Sequence, residues 1–293
     1  MSRVAFVTYA ELPLLYDDDR IAAELLRGRG VEVDAVLWDA SGVRWEEYDA
    51  VVLRSCWEYH LRTEEFLDWI DLMERRGVPL WNPPAVVRDN ADKHYLRRLA
   101  SECTPVVPTV WLEEGEDFDL TGILKSRGWE QAVIKPAISM SAYRTWVTDP
   151  ARAPADTALV REMLSSSGVM IQRFLPEVQT RGEWSFIFFM KEYSHAVLKT
   201  PKPGDFRVQT DFGGRVTVSD PPPQLVNQAE RIVRGVEEPL LYARVDAVEV
   251  GGELMLMELE LIDPVLFFGR SPGAALRFAD ALEGLVLGSN KSA

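Results

Sequence analysis

Two apolar, strand-like segments near the C-terminus, residues 243–250 and 253–262, are joined by a Gly-Gly turn that is typical of an antiparallel hairpin. Alternate residues of a strand lie on one face, so Glu258 and Glu260 share a face and the hairpin brings Asp246 opposite them. Three carboxylates in apolar surroundings repel one another unless a cation lies between them. Because hard oxygen ligands with open positions suit Mg²⁺ that bridges phosphates, the pattern predicts such a site. A solvated strand face is the alternative, and the apolar neighbours disfavour it.

The first eighty residues alternate between strand-like and helix-like segments. We predict strands at residues 4–8, 31–37 and 50–54, and helices at residues 17–27 and 63–76. This alternation is typical of a small parallel sheet, which binds ligands at the carboxyl ends of its strands. The loops after the first and third strands are therefore candidate substrate loops.

The segment Trp81-Asn82-Pro83-Pro84 interrupts the alternation and marks a predicted domain boundary, beyond which the chain has α+β character. We predict an α/β domain over residues 1–84 and a second domain over residues 85–293, with subdomains of about 85–168 and 169–293. Further predicted elements are helices near residues 92–100, 156–164 and 224–236, and strands at 109–111, 132–135, 169–174, 184–190 and 195–199.

Composition excludes several classes of partner. The chain carries 32 Lys and Arg against 46 Asp and Glu, a net charge of −14, so nucleic acid, which is held mainly by basic residues, is not expected. No window approaches the ~18 apolar residues of a membrane span, and acids occupy the place of a signal-peptide cleavage site, so we predict a cytoplasmic protein with no membrane partner. Cys56 and Cys103 are expected to be reduced thiols, and the three scattered histidines do not suggest a metal site.

Two common nucleotide-binding motifs, the P-loop and G-x-G-x-x-G, are absent from the sequence, so a nucleotide would be held in another way. Basic residues offer that alternative. Lys93 begins a predicted helix, and Lys135 and Lys199 end apolar strands. Arg207 lies in a Gly-Asp-Phe-Arg segment. Each is more often a surface cation when taken singly, but with the downstream carboxylates they favour a phosphate site.

The loop after the third strand carries side chains that can recognise an amino acid. Arg54 can pair with a carboxylate, and Glu58 with an ammonium group. Trp57 and Tyr59 offer walls, with Ser55 beside them. In the alternative interpretation the two aromatic rings pack against the following helix. Arg54 is harder to explain by packing, because a guanidinium directly after an apolar strand needs an anionic partner.

The order of these motifs resembles the ATP-grasp superfamily, the fold of D-alanine:D-alanine ligase and glutathione synthetase. The resemblance covers nearly the whole chain and depends on order and spacing, because each motif is short. Residues 54–60 and 194–199 are similar to the branch that contains the O-ureidoserine cyclo-ligase of the cycloserine pathway. The matching motifs are, in chain order, Asp92-Lys93, Ile134-Lys135-Pro136, Gln172-Arg173-Phe174-Leu175, Gly182-Glu183, Lys199, Arg244-Val245-Asp246 and Glu258-x-Glu260.

The resemblance implies an ATP-grasp fold with an N-terminal parallel α/β (preATP-grasp) domain, and ATP and two Mg²⁺ as cofactors. Lys199 would approach the transferred phosphate, with Arg244 and Arg207 as the other catalytic residues. The metal ligands would be Asp246, Glu258 and Glu260. ATP itself would contact Lys93 and Lys135 at its phosphates, Gln172, Phe174 and Leu175 at adenine, and Glu183 or Glu177 at the ribose.

The chain departs from the family pattern at two places. The phosphate-covering loop is usually rich in glycine, whereas residues 137–142 contain none, which puts the flexibility of this loop in doubt. Glu260 stands where asparagine is common and adds a negative charge that affects metal binding or substrate choice.

The reaction that the resemblance implies is an ATP-dependent ligation. A substrate carboxylate becomes an acylphosphate, and a nitrogen nucleophile then attacks it. The expected partners are small-molecule carboxylate and amine substrates, and exposed helices of the first domain permit a homodimer. Two alternatives stay open: an intramolecular cyclo-ligase of the O-ureidoserine type, and a nucleotide-binding regulator that has lost catalysis.

Overall fold

The N-terminal part of the chain forms the parallel sheet predicted from its alternating segments. The computed structural model describes residues 2–289, with side chains to residue 286, while Met1 and residues 290–293, at the ends of the predicted domains, lie outside the described residues. Three sheets are present in this range, and the first has the order β2-β1-β3-β4. Its elements are β1 (Arg3–Thr8), α1 (Asp17–Gly28), β2 (Glu32–Leu37), β3 (Ala50–Ser55), α2 (Thr63–Arg75) and β4 (Leu80–Trp81).

The second sheet is antiparallel, in the order β5-β8-β6-β7. The elements of this region are α3 (Pro84–Ala91), α4 (Tyr95–Ser101), β5 (Thr109–Leu112), α5 (Leu120–Arg127), β6 (Ala132–Pro136), β7 (Trp146–Thr148), α6 (Ala153–Met163) and β8 (Val169–Arg173). The single helix predicted at residues 92–100 starts later, because the backbone at Asp92 is extended and separates α3 from α4. Strand β8 pairs with β5 and β6, so sheet membership favours a subdomain boundary after Arg173 rather than before Val169.

The third sheet is antiparallel, in the order β11-β10-β9-β12-β13, and contains the predicted hairpin. Both residues of its turn, Gly251 and Gly252, have a positive φ, which a two-residue hairpin loop favours. No helix among residues 2–289 is long and apolar enough to cross a membrane. The elements are α7 (Glu177–Thr180), β9 (Glu183–Phe189), β10 (Glu192–Thr200), β11 (Arg215–Val218), α8 (Pro223–Arg234), β12 (Tyr242–Val250), β13 (Glu253–Glu260) and α9 (Ala274–Ser289).

Several elements have no counterpart among the predicted ones: α3, α5, α7, α9, β4, β7 and β11. The three strands contain two to four residues each, which is too short for a period of two to show. Helix α9 is mostly apolar, so no single hydrophobic face stands out in its sequence. It packs against α1 and the first sheet.

Asn82, inside the predicted domain boundary, is a buried anchor between the first and third sheets. Its side-chain amide donates hydrogen bonds to the carbonyl oxygens of Tyr242 at 3.0 Å and Leu261 at 2.7 Å. Its side-chain oxygen accepts a hydrogen bond from the Leu241 N–H at 2.8 Å. The Tyr242 hydroxyl donates to the carbonyl oxygen of Leu53 at 2.8 Å. Buried polar contacts therefore join the two sheets, in addition to apolar packing.

Arg54 in β3 is 0% exposed and has an internal anionic partner. Its guanidinium donates to Asp19 of α1 at 2.6 and 3.0 Å and to the carbonyl oxygen of Pro264 at 2.9 Å. The Ser55 hydroxyl donates to the other Asp19 oxygen at 2.7 Å. The prediction that Arg54 and Ser55 bind substrate is therefore corrected. A guanidinium at this position does need an anion, but Asp19 supplies it from within the core.

We expect Arg54→Met to lower the free energy of unfolding by about 3–5 kcal/mol, because it leaves Asp19 buried without its partner. Arg98→Met is the matched control, since Arg98 and its partner Asp89 are about half exposed and such a pair contributes about 0–1 kcal/mol. Urea denaturation followed by circular dichroism measures both values. Equal losses in the two variants would contradict a buried, energetically important pair.

Candidate active site

A pocket of about 590 Å³ lies between the second and third sheets, and the loops after β1 and β3 reach its edge. Its volume is in the range of small-molecule sites. The predicted site residues that line it are Trp57, Lys135, Gln172, Phe174, Leu175, Glu183, Lys199, Arg207, Arg244, Asp246, Glu258 and Glu260.

Side chains of opposite charge alternate on the hairpin of β12 and β13. Arg244 lies opposite Glu260, and Asp246 lies opposite Glu258. The Arg244 guanidinium donates to Asp246 at 2.9 and 3.0 Å and lies 3.8 Å from Glu260. The period of two therefore places these four side chains together, as expected from the sequence.

Two lysines complete this arrangement. Lys199 on β10 lies 2.5 Å from Glu183 and 3.2 Å from Asp246. Lys135, in β6 of the second sheet, reaches Glu258 of the third sheet at 2.9 Å. Both lysines are buried, so each depends on its carboxylate partners. We call the following six residues the charged row: Lys135, Lys199, Arg244, Asp246, Glu258 and Glu260.

Burial and neighbouring charges shift the pKa values of the two glutamates in opposite directions. Burial is the main cause that raises the pKa of Glu260 to about 8. Arg244 opposes that shift, whereas Glu258 and Asp246 add to it. Burial also raises the pKa of Glu258. The positive charges of Lys135 and Lys93 outweigh burial, so the net shift of this pKa is downward. The two neighbouring carboxylates therefore differ in how readily they bind a proton.

The oxygen atoms of the charged row fit Mg²⁺, which binds carboxylates and keeps positions open for phosphate and water. Glu258 and Glu260 present their carboxylates from one face of β13, with Asp246 opposite. Among residues 2–289, no three His, Cys, Asp or Glu side chains form a ready metal cluster. Asp246 is instead held by Arg244 and Lys199. Phosphate oxygens would therefore have to complete the coordination of a metal here.

Another part of the pocket is apolar and suits a planar ring. Val133 of the second sheet, Met257 of the third sheet and Leu175 of the connecting segment line it. Gln172 also lies at the wall, but it is buried and its amide donates to the Thr109 hydroxyl at 3.3 Å. The Gln172 side chain therefore already has a partner within its own sheet.

The two candidates for a ribose contact differ in position. Glu183 lines the pocket, next to Lys199. Glu177 begins the short helix α7 and is not among the residues that line the pocket.

The loop of residues 137–142 covers part of the pocket, where a phosphate-covering loop is expected. Ser141 and Ala142 adopt a positive φ of 49° and 58°, although neither is glycine. Lys93 does not line the pocket. Its ammonium group donates a hydrogen bond to the carbonyl oxygen of Ser139 within the loop. In this structure Lys93 supports the loop.

The loop after β3 contributes Trp57 to the pocket, but not Glu58 or Tyr59. Glu58 accepts a hydrogen bond from the Trp38 indole at 3.3 Å. Tyr59 is buried and stacks on Phe66 of α2, with ring centroids 5.0 Å apart. The packing interpretation therefore holds for Tyr59, whereas Trp57 faces the pocket. The structure does not place Glu58 where it could bind a substrate ammonium group.

Several pocket residues were not selected from the sequence. Tyr16 ends the loop of residues 9–16, which was predicted as a substrate loop, but its ring contact with Trp57 at 4.9 Å joins distant segments and no local pattern reveals it. Phe267 lines the pocket with a positive φ of 55°. Asp263 lines it three residues after the last strand glutamate. Its place at the end of the same acidic segment is a signal that could have identified it.

Comparison with known proteins identifies the family. Residues 4–82 match the model of the N-terminal domain of the D-cycloserine synthetase DcsG. The whole chain is 31% identical over 299 residues to the cycloserine biosynthesis protein DcsG of Streptomyces lavendulae, an alignment that covers 96% of this chain and 98% of that protein.

Solved structures agree with this match. The crystal structure of D-cycloserine synthetase DcsG superposes with a TM-score of 0.84 at 30% identity, covering 97% of this chain and 100% of that chain. The D-alanine–D-alanine ligase of Bacillus anthracis superposes with a TM-score of 0.71 at 16% identity, covering 100% of this chain and 98% of that chain. A RimK-domain ATP-grasp protein of Sphaerobacter thermophilus gives 0.70 at 19% identity, with coverages of 95% and 98%, and these two likenesses show the fold alone. The chain therefore belongs to the ATP-grasp ligases, in the family of the cycloserine biosynthesis protein DcsG.

Proposed function

We propose that the protein binds ATP in this pocket and uses its γ-phosphate to convert a substrate carboxylate into an acylphosphate, which a nitrogen nucleophile attacks. The observation that carries the proposal is that the charged row shares the pocket with an apolar part lined by Val133, Leu175 and Met257, which we call the apolar slot. Buried cations and carboxylates in contact can exchange partners for phosphate groups and Mg²⁺. An apolar slot between two sheets supplies the site for the base.

In this proposal the adenine ring lies in the apolar slot, against Phe174 and Leu175. Backbone groups of this connecting segment contact its edge, because the Gln172 side chain is bonded to Thr109. Glu183 is the proposed ribose contact, since it lines the same pocket.

Lys135 and Lys199 are the proposed phosphate contacts, and each neutralises a carboxylate of the charged row in this structure. Lys93 joins them if it exchanges its bond to Ser139 for a phosphate oxygen. Asp246, Glu258 and Glu260 are the residues that would hold two Mg²⁺, which supply positive charge to the phosphate oxygens when bound.

Phosphoryl transfer requires mainly positioning and charge neutralisation from the protein. Arg244, which is buried against Asp246, is placed to stabilise the charge that develops on the substrate. Arg207 approaches from the loop between β10 and β11, where Asp205 holds it at 2.9 Å and the Phe212 ring lies 3.8 Å from it. The loop of residues 137–142 shields the acylphosphate from water, which would otherwise hydrolyse it.

A ring-forming reaction is the second candidate, and the 31% identity to a cycloserine biosynthesis protein over nearly the whole chain favours it. In that case one molecule, such as O-ureidoserine, carries both the carboxylate and the nitrogen. A catalytically inactive regulator is less consistent with the retained charged row. We also propose a cytoplasmic location and a homodimer through the exposed side of the N-terminal helices.

ADP release in the presence of Mg²⁺ and ATP tests the proposal. The probes are O-ureidoserine alone, single amino acids, and amino acids in pairs. We expect turnover that depends on a carboxylate substrate. Turnover with one compound alone indicates ring formation, whereas a requirement for two indicates ligation between molecules. The absence of ADP release with every carboxylate would contradict the proposed function.

Glu258→Gln should reduce ADP release at least 100-fold while the fold stays intact, because it removes charge from the proposed metal site at nearly constant volume. The matched control is Glu253→Gln, an exposed position at the far end of the same strand, which should leave the rate unchanged. Circular dichroism verifies the fold of both variants. Full turnover of Glu258→Gln at saturating Mg²⁺ would reject the metal assignment.

Gln172→Ala should weaken ATP binding less than threefold, because its amide is bonded to Thr109 and backbone groups contact the base. Leu175→Ala removes part of the apolar wall and should weaken binding about tenfold, which corresponds to ~1.4 kcal/mol. Isothermal titration with ATP compares the two variants. If Gln172→Ala no longer binds ATP, the Gln172 side chain and not the backbone recognises the adenine base.

A further inference from the structure

Asp263 is a buried carboxylate at the pocket wall with one oxygen atom left unpaired. It follows the end of β13 and is 1% exposed. Its Oδ2 accepts a hydrogen bond from the Cys56 N–H at 2.7 Å. Its Oδ1 is buried and has no hydrogen-bond partner among residues 2–289. A buried acceptor without a donor is costly, so a ligand that supplies the donor gains affinity from it.

The two arginines that act electrostatically on Asp263 already have partners of their own. Arg54 is bonded to Asp19 and to the Pro264 carbonyl oxygen. Arg244 is bonded to Asp246. Burial raises the pKa of Asp263 to about 7, against the Cys56 N–H and these two arginines. The carboxylate therefore lacks positive charge, and the described residues do not supply it.

Aromatic rings line the pocket near the main chain of Asp263. The Trp57 indole N–H donates to the main-chain carbonyl oxygen of Asp263 at 3.2 Å, which fixes the indole beside it. The Tyr16 ring packs on Trp57, and both rings line the pocket. A carboxylate and aromatic rings that line the same pocket favour an ammonium group, because both attract positive charge.

We propose that Asp263 Oδ1 accepts a hydrogen bond from a primary ammonium group of the substrate, which rests against Trp57 and Tyr16. The proposal builds on the ligase function proposed above and assigns the ammonium contact to the segment after β13, whereas the sequence pointed to Glu58 in the loop after β3. Asp263 follows Glu260 by three residues. A single chain segment would therefore hold both the metal ion and the ammonium group of the substrate. In this role Asp263 binds the substrate and selects amino acids over simple carboxylic acids.

Alaninamide and propionamide are suitable probes, since they differ by the ammonium group and neither has a carboxylate that can be phosphorylated. Ligand-observed NMR on the full-length protein without ATP measures their affinities, with both enantiomers of alaninamide tested. We expect the wild type to bind one enantiomer at least tenfold more tightly than propionamide. Asp263→Asn, which places an amide donor against the ammonium group, should abolish this preference.

Two further variants control the experiment. Asp17→Asn removes a carboxylate whose side chain is 84% exposed at the pocket rim, and it should keep the tenfold preference. Asp263→Glu restores a carboxylate and should recover part of it. A preference that persists in Asp263→Asn, or a wild type that does not distinguish the probes, would overturn the assignment. ADP release with a carboxylate substrate is scored separately, so its loss rejects the ligase function and not the ammonium site.

Discussion

The pocket depends on the burial of opposite charges in contact with one another. A lysine or arginine enclosed by protein is tolerated when a carboxylate lies beside it, and removal of one partner leaves the other uncompensated. The Lys135–Glu258 pair is one such interaction, and it joins the second sheet to the third across the pocket. The same contacts keep carboxylate oxygens concentrated in a small volume, which a metal-bound phosphate can use.

The charged row could be predicted because its logic is local. A period of two in β13 and a two-residue glycine turn determine that Glu258 and Glu260 meet Asp246, and both signals lie within about twenty residues of sequence. The parallel N-terminal sheet was predictable for the same reason, since its strands and helices alternate along the chain.

Residues whose partners are distant in the sequence could not be assigned in this way. Chemistry alone says that Arg54 needs an anion, but the anion is Asp19, 35 residues earlier. Lys93 is a cation near a helix start, yet its ammonium group is bonded to Ser139, 46 residues later. In both cases the contact partner lies far away in the sequence, so the residue type alone does not identify it. Asp263 is the converse case, because its place after Glu260 could have marked it as a pocket residue, whereas its missing hydrogen-bond partner is visible only in the structure.

Asn82 is buried where the first and third sheets meet. Its side chain makes three hydrogen bonds to the third sheet and the segment beside it, so the predicted domain boundary is packed into the core and is not an exposed linker. The second sheet contacts the third through the Lys135–Glu258 pair, and just before β5 the Val107 N–H donates a hydrogen bond to the Leu256 carbonyl oxygen. Because Lys135 and Glu258 come from different sheets, a ligand that took Lys135 as its partner would also remove a contact between those two sheets.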